Sequence, residues 1–286
     1  MSFEITTAMV EQYSSNVQIL MQQKESRLRG AVRLETGVVG RNAFFDQLNS
    51  TAAVLRVSRH ADTPLVSTPH VRRRVALSDY DWADLVDNMD LKKVLTDPTS
   101  KYALNARNAM NRAMDDAIIA TALATCYGGM DGSTSYTFDT TNCRIAHASS
   151  SLTLAKLISA KQKLDAQEVD DEGRFFILKS TQLAALLNVT EVKSADYNTI
   201  KALANGEIDT FLGFKFIRSE RLTTASSVTS CLAFQKDSLL LALGLDVVVD
   251  VGPRRDKNMA TQVYLGMSIG ATRMDEKGVI EVQSYD

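Results

Sequence analysis

Of 286 residues only three are cysteine, three histidine, four proline and one tryptophan, and each scarcity removes a class of function. Cys126, Cys143 and Cys231 are widely spaced and odd in number, which excludes a disulfide framework and fits reduced thiols. With His60, His70 and His147 as the only histidines, a four-ligand zinc site lacks donors. The one suggestive spacing, Cys143-Arg-Ile-Ala-His147, has no second Cys/His cluster to complete it, and it is expected to be neither a metal pair nor a Cys/His dyad. Glycines never assemble into the G-x-G-x-x-G or G-x-x-x-x-G-K-[ST] spacing that cradles phosphate. No apolar run approaches the roughly 20 residues of a membrane span, and MSFEITTAMVEQYSS has neither the basic nor the apolar region of a secretory signal. A net charge of −2 offers nucleic acid no bulk attraction, so contact with DNA should be weak or local. Asp115-Asp116 sets two carboxylates about 100° apart on a helix, too divergent for an acid/base pair, and each is expected to meet an arginine, Arg112 or another. No catalytic constellation, cofactor site or metal site remains, and the chain reads as a non-enzyme.

What is present is the composition of a soluble globular protein, 45% hydrophobic and 23% charged, long enough for two compact units. The longest helical pattern runs from Asp97, a good N-cap before Pro98, to Cys126, with Gly128-Gly129 available as a left-handed terminus. Leu104, Met110, Met114, Ala117, Ile118 and Leu123 form its apolar positions, and at 1.5 Å per residue it would extend roughly 40 Å. Residues 1–30 carry a polar helical pattern with few apolar side chains to bury, an arm that packs on a neighbour or frays. Gly37 to Leu77 reads as a long two-stranded excursion around Pro64 and Pro69, with Val54, Val57, Val71 and Val75 interleaved with Arg56, Arg59, Arg72, Arg73 and Arg74. Its apolar surface is too small for independent stability, so it needs something to lie on. Strand alternation puts Arg72 and Arg74 on one face and Arg73 on the other, which favours solvated or subunit-facing arginines over one phosphate-binding patch. Trp82, with Leu85, Val86, Met89 and Leu91, should anchor the excursion.

After a Gly/Ser/Thr-rich connection, a mixed α/β unit begins near Leu152: helix LTLAKLISAKQKLDAQ, strand RFFIL, helix STQLAALLN capped by Ser180, helix ADYNTIKALANG closed by Gly206, and strand TFLGFKFIRSERL. The chain then returns through strand CLAFQ, a short helix KDSLLLAL, strand DVVVDVG, a turn at Pro253–Asp256, strand TQVYLGMSIGATRM and strand VIEVQ, the last two joined as a hairpin at Gly278.

This order of parts resembles the major capsid protein of tailed bacteriophages, the HK97-type fold. LTDPTSKYALNARNAMNRAMDDAIIATAL resembles its spine helix, FILKSTQLAALL and FLGFKFIRSERL the opening and closing parts of its inserted axial domain, and GATRMDEKGVIEV its final peripheral hairpin. The resemblance covers most of residues 80–286; the arm and excursion match in placement alone. It implies an α+β, HK97-like coat protein fold: an N-terminal arm at 1–35, an extended β E-loop at 36–80, a peripheral domain at 81–150 and 222–286 with the spine helix at 97–126, and an inserted α/β axial domain at 151–221. It implies a structural major capsid protein that self-assembles, as hexamers and pentamers, into the icosahedral head shell around packaged double-stranded DNA in the host bacterial cytoplasm. The alternatives are an encapsulin-like nanocompartment shell, told apart by protein cargo in place of DNA, and a minor or decoration virion protein, told apart by low copy number. Arg56, Arg59, Arg72, Arg73 and Arg74 become expected intersubunit contacts, and the expected partners are further copies of the chain, a separate scaffolding protein, a portal and decoration proteins. Some relatives carry a cleaved N-terminal scaffolding segment of roughly a hundred residues; only about 35 residues precede the E-loop here, too few for such a domain.

Overall fold

The computed structural model describes residues 21–60, 62–86, 99–188 and 210–285. Expectations for the first 20 residues, for Met89, Leu91, Asp97 and Pro98, and for the helix closed by Gly206 fall outside them. The chain divides into two units, one containing Tyr80–Arg112 and Val247–Met267, the other Ser26–Asp79, Ala113–Asp246 and Ser268–Asp286.

The core of the second unit is a seven-stranded sheet. Its order is β7 (Arg144–Ile145), β15 (Val279–Tyr285), β12 (Val228–Gln235), β8 (Arg174–Leu178), β10 (Phe214–Arg218) and β9 (Thr210–Phe211), with β11 (Thr224–Ala225) paired to β12. The apolar runs explain the placement: Phe176, Ile177 and Leu178 on β8, Leu232, Ala233 and Phe234 on β12, and Val279, Ile280 and Val282 on β15 are all buried, as expected for strands covered on both faces. Helix α2 (Leu154–Ala166) packs on β15 and β7. It starts where the Thr153 hydroxyl accepts from the Lys156 N–H at 3.4 Å, and it buries Leu157, Ala160 and Leu164 at helical spacing. Helix α3 (Ser180–Asn188) follows β8 directly. The sheet therefore draws strands from the expected 151–221 insertion and from both flanking segments, β8 pairing with β12.

A four-stranded sheet orders β1 (Arg33–Thr36), β13 (Leu239–Arg254), β14 (Ala260–Arg273) and β4 (Ser78–Val86). A second four-stranded sheet orders β2 (Asn42–Leu48), β3 (His70–Ala76), β5 (Cys126–Gly128) and β6 (Thr134–Tyr136). The long helix α1 spans Thr99–Leu123 and buries Ala106, Met110, Met114, Ile118, Ile119 and Ala122, while Leu104 is exposed.

Four sequence expectations need correction. KDSLLLAL is not a helix: Lys236–Ser238 make a single 3-10 turn, and Leu239–Leu243 open β13, because five consecutive buried positions suit a strand covered on both sides and leave no polar helix face. The turn at Gly278 is real, yet β14 and β15 do not pair; they enter different sheets, and a side chain at Gly278 would collide with Ser238. TFLGFKFIR is two antiparallel strands, with Leu212 and Gly213 at positive φ between them. Gly129 has positive φ but lies between β5 and β6, six residues beyond the end of α1.

The described end of the arm is pinned to its own chain. Asp115, fully buried on α1, accepts from the Ser26 hydroxyl at 2.6 Å and from the Arg27 and Leu28 N–H groups at 3.1 and 3.2 Å. Three donors converging on one carboxylate hold the segment while Leu28, Ala31 and Val32 bury their side chains. Its neighbour Asp116 pairs with Arg221. Arg112 donates instead to the Gln22 side chain at 2.7 Å.

Candidate functional site

The excursion has a built base and an unsupported tip. At the base β2 and β3 pair antiparallel from Asn42↔Ala76 to Leu48↔His70, so the strands lie at 42–48 and 70–76 rather than around Val54 and Val57. The inner face, with Val75 buried and Phe45 partly so, joins a cluster with Leu240, Ala242 and Met274. On the outer face Arg72 stands opposite Asp46 and bonds it at 2.6 Å. That hydrogen bond holds the Asp46 carboxyl below the usual carboxylate range. Arg72 and Arg74 lie over the Phe44 and Tyr127 rings at 5.6 and 5.1 Å.

Arg73, on the other face as alternation requires, is 3% exposed. Its guanidinium bonds both oxygens of Glu276 at 2.7 and 2.8 Å, donates to the Met274 carbonyl at 3.1 Å, and stacks 3.7 Å from the centre of the Tyr136 ring. Arg73 thus ties the hairpin base to the β14–β15 turn within one subunit.

Beyond the base the chemistry changes. Every described residue from Leu48 to His70 is exposed, and none from Asn49 to Pro69 belongs to a strand. Leu55, Val57 and Leu65 are 85%, 92% and 98% exposed, and Arg56 bonds only the carbonyls of Ser58 and Arg59. Arg59 has no side-chain partner among the described residues. The tip is an apolar and basic segment that no described residue of its own subunit buries.

Cys143 is buried, its thiol pushed up first by desolvation, and its sulfur donates to the Glu276 carbonyl; His147 Nδ1 accepts from the Ser149 N–H at 3.0 Å. They form no dyad, and no cluster of metal-ligating side chains occurs among the described residues. A groove of about 680 Å³ at the hairpin base is lined by Gln47, Arg73, Tyr136, Gln167, Glu276 and Lys277 among others.

Three buried charges had no sequence signature. Arg273 caps the end of α1 through the Ala122 and Ala124 carbonyls at 2.8 and 2.9 Å. Lys156 donates to the carbonyls of His147, Ser150, Ser151 and Gln283 at 2.7–3.1 Å, and burial lowers its pKa. Glu281 pairs with Arg144 at 2.5 Å and accepts from the Ser230 hydroxyl at 2.7 Å. Two of the three work through backbone carbonyls, which every sequence has.

The depressed carboxylates set an acid limit. Asp46 is lowered by Arg72, and Glu220 by Ser180, whose N–H at the start of α3 it accepts at 2.8 Å. Each folded pKa lies below its unfolded value near 4, so each contribution is complete above that value and is lost as pH falls through the folded pKa. The urea midpoint of the unassembled subunit should be flat from pH 7 to 5 and fall below about pH 4. An Asp46→Asn, Glu220→Gln variant should show a shallower fall.

A family model described as "Phage capsid protein" matches residues 5–285. Among curated proteins no sequence match is found. Solved structures superimpose over nearly the whole chain: one of Mycobacterium phage Che8 at TM-score 0.73 and 14% identity, covering 96% of each chain; the capsid of the cyanophage P-SCSP1u at 0.74 and 16%, covering 97% of this chain and 93% of that one; and the capsid of Ralstonia phage GP4 at 0.72 and 13%, covering 97% and 95%. At these identities the likeness is one of fold.

Proposed function

The chain belongs to the phage capsid protein family, and from that premise we propose that its uncovered hairpin tip is the surface through which one shell subunit holds the next. The protein is a major capsid protein with the HK97-like fold, a component of the virion shell. Its work is mechanical rather than catalytic. The observation that carries the proposal is the run of exposed residues from Leu48 to His70, which includes Leu55, Val57 and Leu65. A monomer gains nothing from such a segment, whereas burial against a neighbour recovers roughly 25 cal/mol per Å² of apolar surface. Arg56, Arg59, Arg72 and Arg74 would set the register of that contact, with Arg73 stabilising the base from inside. A separate scaffolding protein, a portal, decoration proteins and, weakly, packaged double-stranded DNA belong to the same proposal, as does assembly in the host cytoplasm.

A photo-crosslinking residue at Leu55 tests the contact. Irradiated shells should yield a species of twice the 31.4 kDa subunit mass, and unassembled subunits should not. A crosslink confined to the same subunit would remove the proposal.

A second expectation concerns covalent locking. In the phage that names the fold, the mature shell is joined by isopeptide bonds between an E-loop lysine and a neighbour's asparagine. Here no lysine occurs between Lys24 and Lys92, and arginine stays protonated, without the neutral amine that chemistry needs. Boiling mature particles in denaturing detergent should release one band near 31.4 kDa, whereas a ladder of covalent oligomers would contradict it.

A further inference from the structure

Strand β4 ends its sheet: β14 lies on one side, and on the other no strand pairs with it among the described residues. It is nine residues long, SDYDWADLV, with Asp79, Asp81 and Leu85 exposed. A strand edge of that length is a template for another strand unless something blunts it, and here the blunting is entirely acidic. Asp79 accepts from the Ser268 hydroxyl and Asp81 from the Tyr264 hydroxyl, both at 2.6 Å, and Asp84 accepts from the Leu85 N–H at 2.8 Å. Each uses one carboxylate oxygen and leaves its second without a partner among the described residues. Two copies of β4 would repel one another, and a basic strand would not.

We infer that residues 54–59 of one subunit add as an antiparallel strand to the outer edge of β4 in another, with Arg56 opposite Asp84 and Arg59 opposite Asp81. The inference rests on the reading that the tip covers a neighbouring subunit, and it names the surface covered. Charge selects the occupant: residues 49–60 carry Arg56 and Arg59 and no acid, whereas residues 1–20 carry Glu4 and Glu11 and no lysine or arginine. Spacing selects the register. Two arginines three apart meet two aspartates three apart, and the antiparallel alignment that pairs both also sets Val54 opposite Val86, Leu55 opposite Leu85 and Val57 opposite Ala83. The parallel alignment that satisfies the same charges sets Val54 against Asp79 and Leu55 against Tyr80. Only the antiparallel one matches charge to charge and apolar to apolar.

The test uses the full chain. Val57 and Ala83 are both exposed, so a Val57→Cys, Ala83→Cys variant should assemble, and mild oxidation of its shells should link subunits through disulfides on a non-reducing gel. A Leu55→Cys, Ala83→Cys variant, two residues out of register, should link at least tenfold less. Asp81→Arg with Asp84→Arg should lose closed shells, as should Arg56→Asp with Arg59→Asp, and the four changes combined should restore them. Absence of both the disulfide and the rescue, with the Leu55 photo-crosslink still joining subunits, would overturn the β4 edge and leave the tip reading intact. Loss of that photo-crosslink as well would bring down both.

Discussion

Replacing Ser50–Thr68 by a two-residue turn is expected to abolish closed shells while leaving the subunit folded. None of the described residues in this segment is buried, so its removal takes away no described core contact. The hairpin base keeps its Leu48↔His70 register and the bond from the Asn49 N–H to the Pro69 carbonyl at 3.1 Å, and a shorter loop costs less entropy to close. The unfolding midpoint should therefore stay level or rise by an amount worth about 1 kcal/mol, while electron microscopy finds no shells. Arg73 continues to clasp Glu276, so a failure to assemble would not be misfolding at the base. Normal shells from the shortened chain would show that the tip is dispensable.

Arg273→Met should instead destabilise the subunit itself, by about 3 kcal/mol. The side chain is wholly buried, its guanidinium bonds the carbonyls of Ala122, Ala124 and Tyr136, and it lies 5.4 Å from the centre of the Phe138 ring. A cation at a helix C-terminus answers the macrodipole and takes carbonyls that have no partner further along the helix. Methionine fills similar volume but leaves buried acceptors unsatisfied at roughly 1–3 kcal/mol each, offset by the relief of burying a charge. Against a typical total of 5–15 kcal/mol this is a large share, and soluble expression should fall with it. Arg273→Lys should recover less than half, since an ammonium cannot reproduce the forked geometry. A urea midpoint unchanged from wild type would show that water satisfies the helix end instead.

Legibility followed the range of the forces. Helix α1, strand β8 and the start of α3 are declared by local pattern: apolar spacing, a run of buried positions, and a serine at a helix start. The excursion reads from sequence as a segment in need of cover, because its apolar surface is small for its length. Leu239–Leu243 misled, since a short unbroken apolar run satisfies a buried strand and a buried helix alike. Gly278 marks a turn correctly, but a turn does not say which sheet the outgoing strand enters; only long-range packing decides that β15 pairs β12. Alternation alone separates Arg73 from Arg72 and Arg74, but its partner Glu276, 203 residues away, has no local signature.

The order of strands in the seven-stranded sheet also constrains when the subunit can exist. β15, residues 279–285, lies between β7 and β12, both of which precede it in the chain. During synthesis the earlier strands leave the ribosome with that position empty, and the core of Val279, Ile280 and Val282 closes only when residue 285 has emerged. A nascent chain therefore presents its hairpin tip before it possesses a finished body.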